Sequence, residues 1–254
     1  MTDLFILQLL IGGAIGIGAG YIGAFMILRR MALVGDALSH VALPGLAIAL
    51  LFNFNPFLGA FAALFIAICG IWILELKTNL PSETLVGIFF TTALALGILL
   101  TPQPELLEAL FGDIGKLARM DLYITLPIVA LVIIALKLIS KPLTLSTISK
   151  ELTQSMKVPV NAINFIFLLM VAVIVALGIK VTGTLLMGAL VIIPAAAARN
   201  ISRTFSHYAL MSAVLGGVAA VAGIAIAHQY SFAPGPLVVL SGGVLFLVSL
   251  LFKQ

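Results

Sequence analysis

Met31-Ala-Leu-Val-Gly-Asp36-Ala-Leu-Ser-His40-Val-Ala-Leu-Pro44-Gly-Leu46 runs on without a further charge to Phe52, and its reading decides the fold. Taken as a helix, the stretch carries a carboxylate and an imidazole into an apolar run long enough to cross a lipid bilayer. At about 1.5 Å rise per residue, His40 lies roughly 14 Å beyond Met31, near the middle of a hydrocarbon core about 30 Å thick. An ionisable group at that depth is costly unless something pairs with it, so the pair marks a functional site.

The rest of the chain has the same character. Hydrophobic residues make up 63% of its 254 positions and charged residues 9%, which places it among all-α polytopic membrane proteins rather than soluble domains. Apolar runs near 4–28, 31–52, 57–76, 83–101, 121–140, 159–178, 182–198, 207–228 and 236–252 predict nine spans in one integral membrane domain, 1–254. The count falls to eight if 182–198 is a re-entrant segment broken at Pro194. Leu4 to Leu28 lacks a basic leader and a small-residue cleavage site, so it reads as a retained first span. Cys69, alone and mid-span, reads as packing.

With residue 1 outside, the inner loops collect Arg29, Arg30, Lys77, Lys137, Lys141, Lys150, Lys157, Arg199, Arg203 and Lys253. Only Lys116, Arg119 and Lys180 fall outside, so orientation in the membrane accounts for the net charge of +4 and nucleic acid is not implied. The outer loop from Pro102 to Met120 contains Pro104-Glu-Leu-Leu-Glu-Ala-Leu-Phe111, which predicts a short interfacial helix. The inner stretch Lys141 to Val158 is polar enough to stand in the cytoplasm and helical enough to present a surface. Gly12, Gly16 and Gly20, at four-residue spacing, predict close helix packing in lipid. Pro44, with Gly45, and Pro194 each interrupt an apolar span, which predicts kinks or gates and points weakly to an inverted repeat.

Residues four apart share a helix face, so Asp36 and His40 reach toward one point. Carboxylate oxygen and imidazole nitrogen suit a divalent first-row ion, and two ligands are too few for a closed structural site. That incompleteness suits an ion that must leave. Water, Ser39, or the same pair from a second copy of the chain would complete the shell. A buried His–Asp hydrogen bond that fixes packing fits the spacing equally well. His207 reads as a loop histidine, His228 as an interfacial one, Glu83 as a charge at a helix N-terminus, and Asn161 and Asn164 as links between helices. Gly112-Asp-Ile-Gly115-Lys116-Leu117 has neither the spacing nor the hydroxyl of a phosphate-binding loop, so the chain is not expected to hydrolyse ATP itself. There is no His-Glu-x-x-His motif, and charges are too sparse for a proton relay.

These blocks resemble the membrane permease subunits of ATP-binding-cassette importers for zinc, manganese and iron, closest to the zinc branch. The likeness rests on Arg29-Arg-Met-Ala-Leu-Val-Gly-Asp-Ala-Leu-Ser-His-Val-Ala-Leu-Pro-Gly45, Glu83-Thr-Leu-Val-Gly-Ile-Phe-Phe90 and Leu110-Phe-Gly-Asp-Ile114. Val181-Thr-Gly-Thr-Leu-Leu-Met-Gly-Ala-Leu-Val-Ile-Ile-Pro-Ala-Ala-Ala-Ala-Arg199 and Pro234-Gly-Pro-Leu-Val-Val-Leu240 complete it. The resemblance implies a multi-pass protein of the bacterial inner membrane in which Asp36 and His40 touch a transported ion, most simply Zn2+, with Mn2+ or Fe2+ as the alternative. It implies no permanently bound cofactor, and ATP acting only through a partner. The partners it implies are a second copy of the chain, cytoplasmic ATP-binding subunits and an extracytoplasmic metal-binding protein. The inner segment 141–158 would then couple to the ATPase through Ser149, Glu151, Leu152, Met156 and Lys157. Where relatives often carry an outer aspartate this chain has Ser231-Phe-Ala, which leaves Glu105, Glu108 and Asp113 as outer carboxylates. A stand-alone carrier driven by an ion gradient, and a scaffold in which the pair only packs, are the readings from other classes.

Overall fold

The computed structural model describes residues 2–78, 80–100, 110, 112, 115, 117–149, 153 and 155–252. Its helices are α1 (Thr2–Leu28), α2 (Ala32–Val41), α3 (Leu43–Leu51), α4 (Pro56–Lys77), α5 (Ser82–Leu100), α6 (Arg119–Ile148), α7 (Val160–Ile201), α8 (Phe205–Tyr230) and α9 (Pro234–Leu250). Seven segments are long and apolar enough to cross a membrane, and Leu186–Ile201 and Pro234–Leu250 are shorter apolar helices. Only helices with every backbone group bonded internally can do this in hydrocarbon.

Hydrophobicity cannot hold such helices together in lipid, so the core is built on close backbone approach. Gly16 of α1 lies against the Gly216 carbonyl of α8, and Gly20 against the carbonyl of Ser212, whose hydroxyl donates in return to the Gly20 carbonyl. The glycine period therefore does pack, as the sequence predicts. α7 is the hub, touching α1, α2, α4, α6, α8 and α9. Arg29, just past α1, donates to Asn164 Oδ1 of α7 at 2.6 Å and stands 5.2 Å from the Phe167 ring centroid. Burial pulls the Arg29 guanidinium below its ordinary pKa, with Glu75 opposing the shift. Asn164 is thus an interhelical link, as expected.

The span expected at 31–52 is present over Ala32–Leu51, as two short helices meeting at Ala42 with the expected interruption at Pro44. Pro44 has no N–H to offer the His40 carbonyl, so the ladder is interrupted there. The inner segment from Lys141 is helical, as expected, as far as Ile148, where it forms the end of the 30-residue α6 with Pro127 and Pro142 inside it. Ser146 and Thr147 hydroxyls both bond back to the Leu143 carbonyl, so these polar side chains are satisfied within the helix.

The two spans expected at 159–178 and 182–198 join without an outer turn. They bend at Gly183 (φ 74°, ψ 174°), while Pro194 sits inside regular helix. Gly183 is forced to be glycine twice over, by its positive φ and by the Leu110 carbonyl, which fills the place of a Cβ. Gly112, also at positive φ (73°), packs against it in turn, since a Cβ there would lie 2.7 Å from the Gly183 nitrogen. The helix expected over 104–111 lies, apart from Leu110, outside the described residues. Because Pro44 marks a break and Pro194 does not, the two prolines give no support to an inverted repeat.

Gly183→Ala is expected to destabilise the chain by about 1–3 kcal/mol from backbone strain alone. That loss reads as a lowered Tm in detergent. Gly243→Ala, whose added methyl meets nothing within 4 Å, should leave Tm unchanged or raise it.

Candidate metal site

Asp36, Ser39 and His40 stand on α2, which packs between α5 and the second arm of α7. Ser39 is fully buried, and its hydroxyl donates to the Thr184 carbonyl oxygen at 2.6 Å, with the Asp36 carbonyl oxygen at 2.7 Å. That bond clamps α2 to α7 one residue past the Gly183 bend. Gly188, a little over one turn further along α7, makes room for Asp36. A methyl at Gly188 would lie 2.5 Å from Asp36 Cβ and 2.6 Å from its Oδ1. The sequence contains Gly188 within a quoted block, but nothing in its spacing announces this role.

His40 is 8% exposed, and its ring centroid lies 5.4 Å from that of Phe90 on α5. Its Nδ1 is buried without a hydrogen-bond partner. Buried polar atoms are nearly always paired, so this nitrogen stands out. Asp36 makes no hydrogen bond to it. Ser39 is part of the site's frame, since its one proton is committed to a carbonyl and only its lone pairs remain to face a cation. Among the described residues no group of three or more His, Cys, Asp and Glu gathers in one place. Asp36 and His40 are the two such side chains that α2 carries.

Asp36, half-buried, faces a cavity of about 380 Å³ whose lining includes Arg30, Glu83, Val86 and Phe90. The cavity leads from the α2 carboxylate toward the ends of α1 and α5 that carry Arg30 and Glu83. Sequence reasoning took Glu83 only as a charge at the start of α5, where it does lie. That it shares a cavity with Asp36 follows from how α2 and α5 pack. Pro44 and Gly45 border a separate apolar cavity of about 390 Å³ between α3, α4 and α5. Gly45 meets the Gly59 carbonyl of α4 there, so the α2–α3 break is held by backbone contact.

The remaining candidates lie apart. His207 is exposed in the first turn of α8 rather than in a loop, and His228 is exposed and stacked on Phe5 at 4.3 Å. Lys180 pairs with Asp121 at 2.6 Å, tying α7 to the start of α6. Of the expected coupling residues, Ser149 closes α6 with its N–H on the Leu145 carbonyl. Met156 is exposed, and Lys157 has positive φ (59°). Glu151 and Leu152 lie outside the described residues, as do Glu105, Glu108 and Asp113.

The chain matches the ABC 3 transport family over residues 1–253 and belongs to it. It is a multi-span protein of the bacterial inner membrane. It is 34% identical over 242 residues to the manganese import system permease protein ScaB of Streptococcus parasanguinis, covering 93% of this chain and 86% of that one. It is 32% identical over 261 aligned positions to the high-affinity zinc uptake system membrane protein ZnuB of Haemophilus influenzae, covering 100% and 99%. The fold superposes on PsaBC from Streptococcus pneumoniae, solved in complex with Fab, with a TM-score of 0.84 at 30% identity, covering 96% of this chain and 90% of that one.

Ser39→Ala removes the clamp and leaves the α2 backbone in place. It is expected to cost about 1 kcal/mol of stability, read as a lowered Tm in detergent. Gly188→Ala should lower the Tm in detergent and weaken metal binding measured by calorimetry on the purified chain, because the added methyl would stand 2.6 Å from Asp36 Cα as well as against its side chain and would push α2 aside.

Proposed function

We propose that the chain is the permease of an importer that carries a divalent metal ion into the cytoplasm, with Asp36 and His40 holding the ion briefly inside the membrane. The orphaned His40 Nδ1, one helical turn along α2 from an Asp36 that borders a cavity His40 does not line, is the observation that carries this reading. Two copies of the chain would frame the path and bring the ligand count toward four. Separate cytoplasmic subunits would hydrolyse ATP, docking on the segment that ends α6, from Ser149 through Met156 and Lys157. A metal-binding protein outside would deliver the ion. Two ligands from each chain, with no rigid cage, suit release as well as capture.

Zinc is the first reading of the cargo. Imidazole nitrogen suits zinc, and the hydroxyl nearest the pair, Ser39, is occupied with Thr184, which lessens the oxygen-rich surroundings that manganese prefers. The end-to-end match in length with the zinc uptake relative points the same way. Manganese is the second reading, favoured by the names of the relatives with the higher identities. Iron is the third, implied by the family resemblance alone.

Cells without their own importers, supplied with this chain and its partner subunits, should take up radiolabelled zinc faster than manganese. The opposite preference would establish the second reading. Asp36→Asn and His40→Ala are each expected to lower uptake about ten-fold or more. Full uptake by both variants at normal expression would remove the pair from the path.

A further inference from the structure

A second cavity, of about 380 Å³, lies at the end of the bundle that carries Arg29 and Arg30 and is separate from the Asp36 cavity. It is enclosed by the C-terminal ends of α1 and α7, the turn from Ser202 to Thr204 and the first turn of α8. Arg30, Arg199, Arg203, Ser202, Thr204 and Tyr208 supply its polar lining, and among the described residues no carboxylate lines it. Arg30 also borders the Asp36 cavity. Among the described residues, neither Arg30 nor Arg199 forms an ion pair.

Two hydroxyls in this lining are unsatisfied. Tyr208 is 8% exposed, and its phenolic oxygen is buried with no hydrogen-bond partner. The Ser202 hydroxyl is buried and unpartnered in the same way. Tyr208 is held in this position by its neighbours. Its ring lies 6.1 Å from that of Phe205, which is set edge-on at 4.9 Å against Phe25 of α1. Guanidinium groups donate and never accept, and both hydroxyls have a proton to give. The cavity is therefore rich in donors and carries positive charge. Water would satisfy the two hydroxyls and leave the charges of Arg30 and Arg199 without an anionic partner inside it. A tetrahedral oxyanion answers both needs, because its several oxygens accept from planar guanidinium forks and from hydroxyls together. The start of α8, 26 residues long, adds the positive end of its peptide dipole.

We propose that this cavity binds a phosphate group, presented by an anionic phospholipid headgroup or as free phosphate. Ile27, Leu28 and Phe205 give it an apolar wall at the level where headgroups meet the inner surface. The site is independent of which metal the permease carries.

The full-length chain in neutral detergent should show a higher Tm with inorganic phosphate than with chloride at equal ionic strength. Alternatively, it should show one in phosphatidylcholine vesicles containing phosphatidylglycerol relative to phosphatidylcholine alone. A response to inorganic phosphate assigns the soluble source, and a response only to phosphatidylglycerol assigns the lipid. Tyr208→Phe, which removes one hydroxyl and keeps the ring, should weaken binding by about ten-fold, and Arg199→Gln by at least as much. Arg199→Lys should restore part of it. No response to either anion overturns the proposal, as does an equal response in wild type, Tyr208→Phe and Arg199→Gln. So does stabilisation that appears only when the ATPase subunits are added while both anions are inert, since the cavity would then belong to a protein interface.

Discussion

The Ser39 hydroxyl donating to the Thr184 carbonyl is the bond on which the placement of Asp36 and His40 depends. In hydrocarbon a hydroxyl has no water to turn to, so a donor on one helix and a carbonyl on the next hold their register against lipid that offers neither. The bond falls one residue beyond the Gly183 bend, so the direction of the second arm of α7 sets where α2 lies. Gly188 on that same arm leaves the space that Asp36 fills. Bend, clamp and space form one device, and removing any of them moves the carboxylate.

The bend is itself held from outside the helix. Gly112 and Gly183 both have positive φ and meet backbone to backbone, which joins the loop after α5 to the middle of α7. The same principle recurs at lower strain where Gly16 meets Gly216 and Gly45 meets Gly59. Small residues are therefore the structural currency of this chain, and its bulky apolar side chains fill what the glycines leave. Large hydrophobic side chains on α4, α5 and α6 stay exposed, as helices bathed in lipid or facing a further copy require.

Charge is sorted along the path. Two carboxylates, Asp36 and Glu83, border one cavity, while three arginines gather in the other with no acid among them. Arg30 belongs to both, so an anion held by the arginines would also weaken the positive field at the cation's inner mouth.

Much of this was legible in the chain itself. Run lengths and the distribution of Arg and Lys determined the membrane class and the orientation, because crossing oil imposes a length and a composition on each segment. The i, i+4 spacing determined that Asp36 and His40 share a face, and Pro44 that the helix breaks after them, since both follow from covalent geometry. The bend of α7 was placed at Pro194 by the same logic and is found at Gly183, because proline can be carried in a regular helix while positive φ cannot. The helical character of the inner segment after Lys141 was legible too, and the Ser146 and Thr147 hydroxyls are satisfied within α6. Only the tertiary structure decided that Gly188 accommodates Asp36, that Glu83 shares its cavity and that Arg199 and Tyr208 meet Arg30. Contacts between helices far apart in sequence depend on which faces pack, and local spacing carries no record of that.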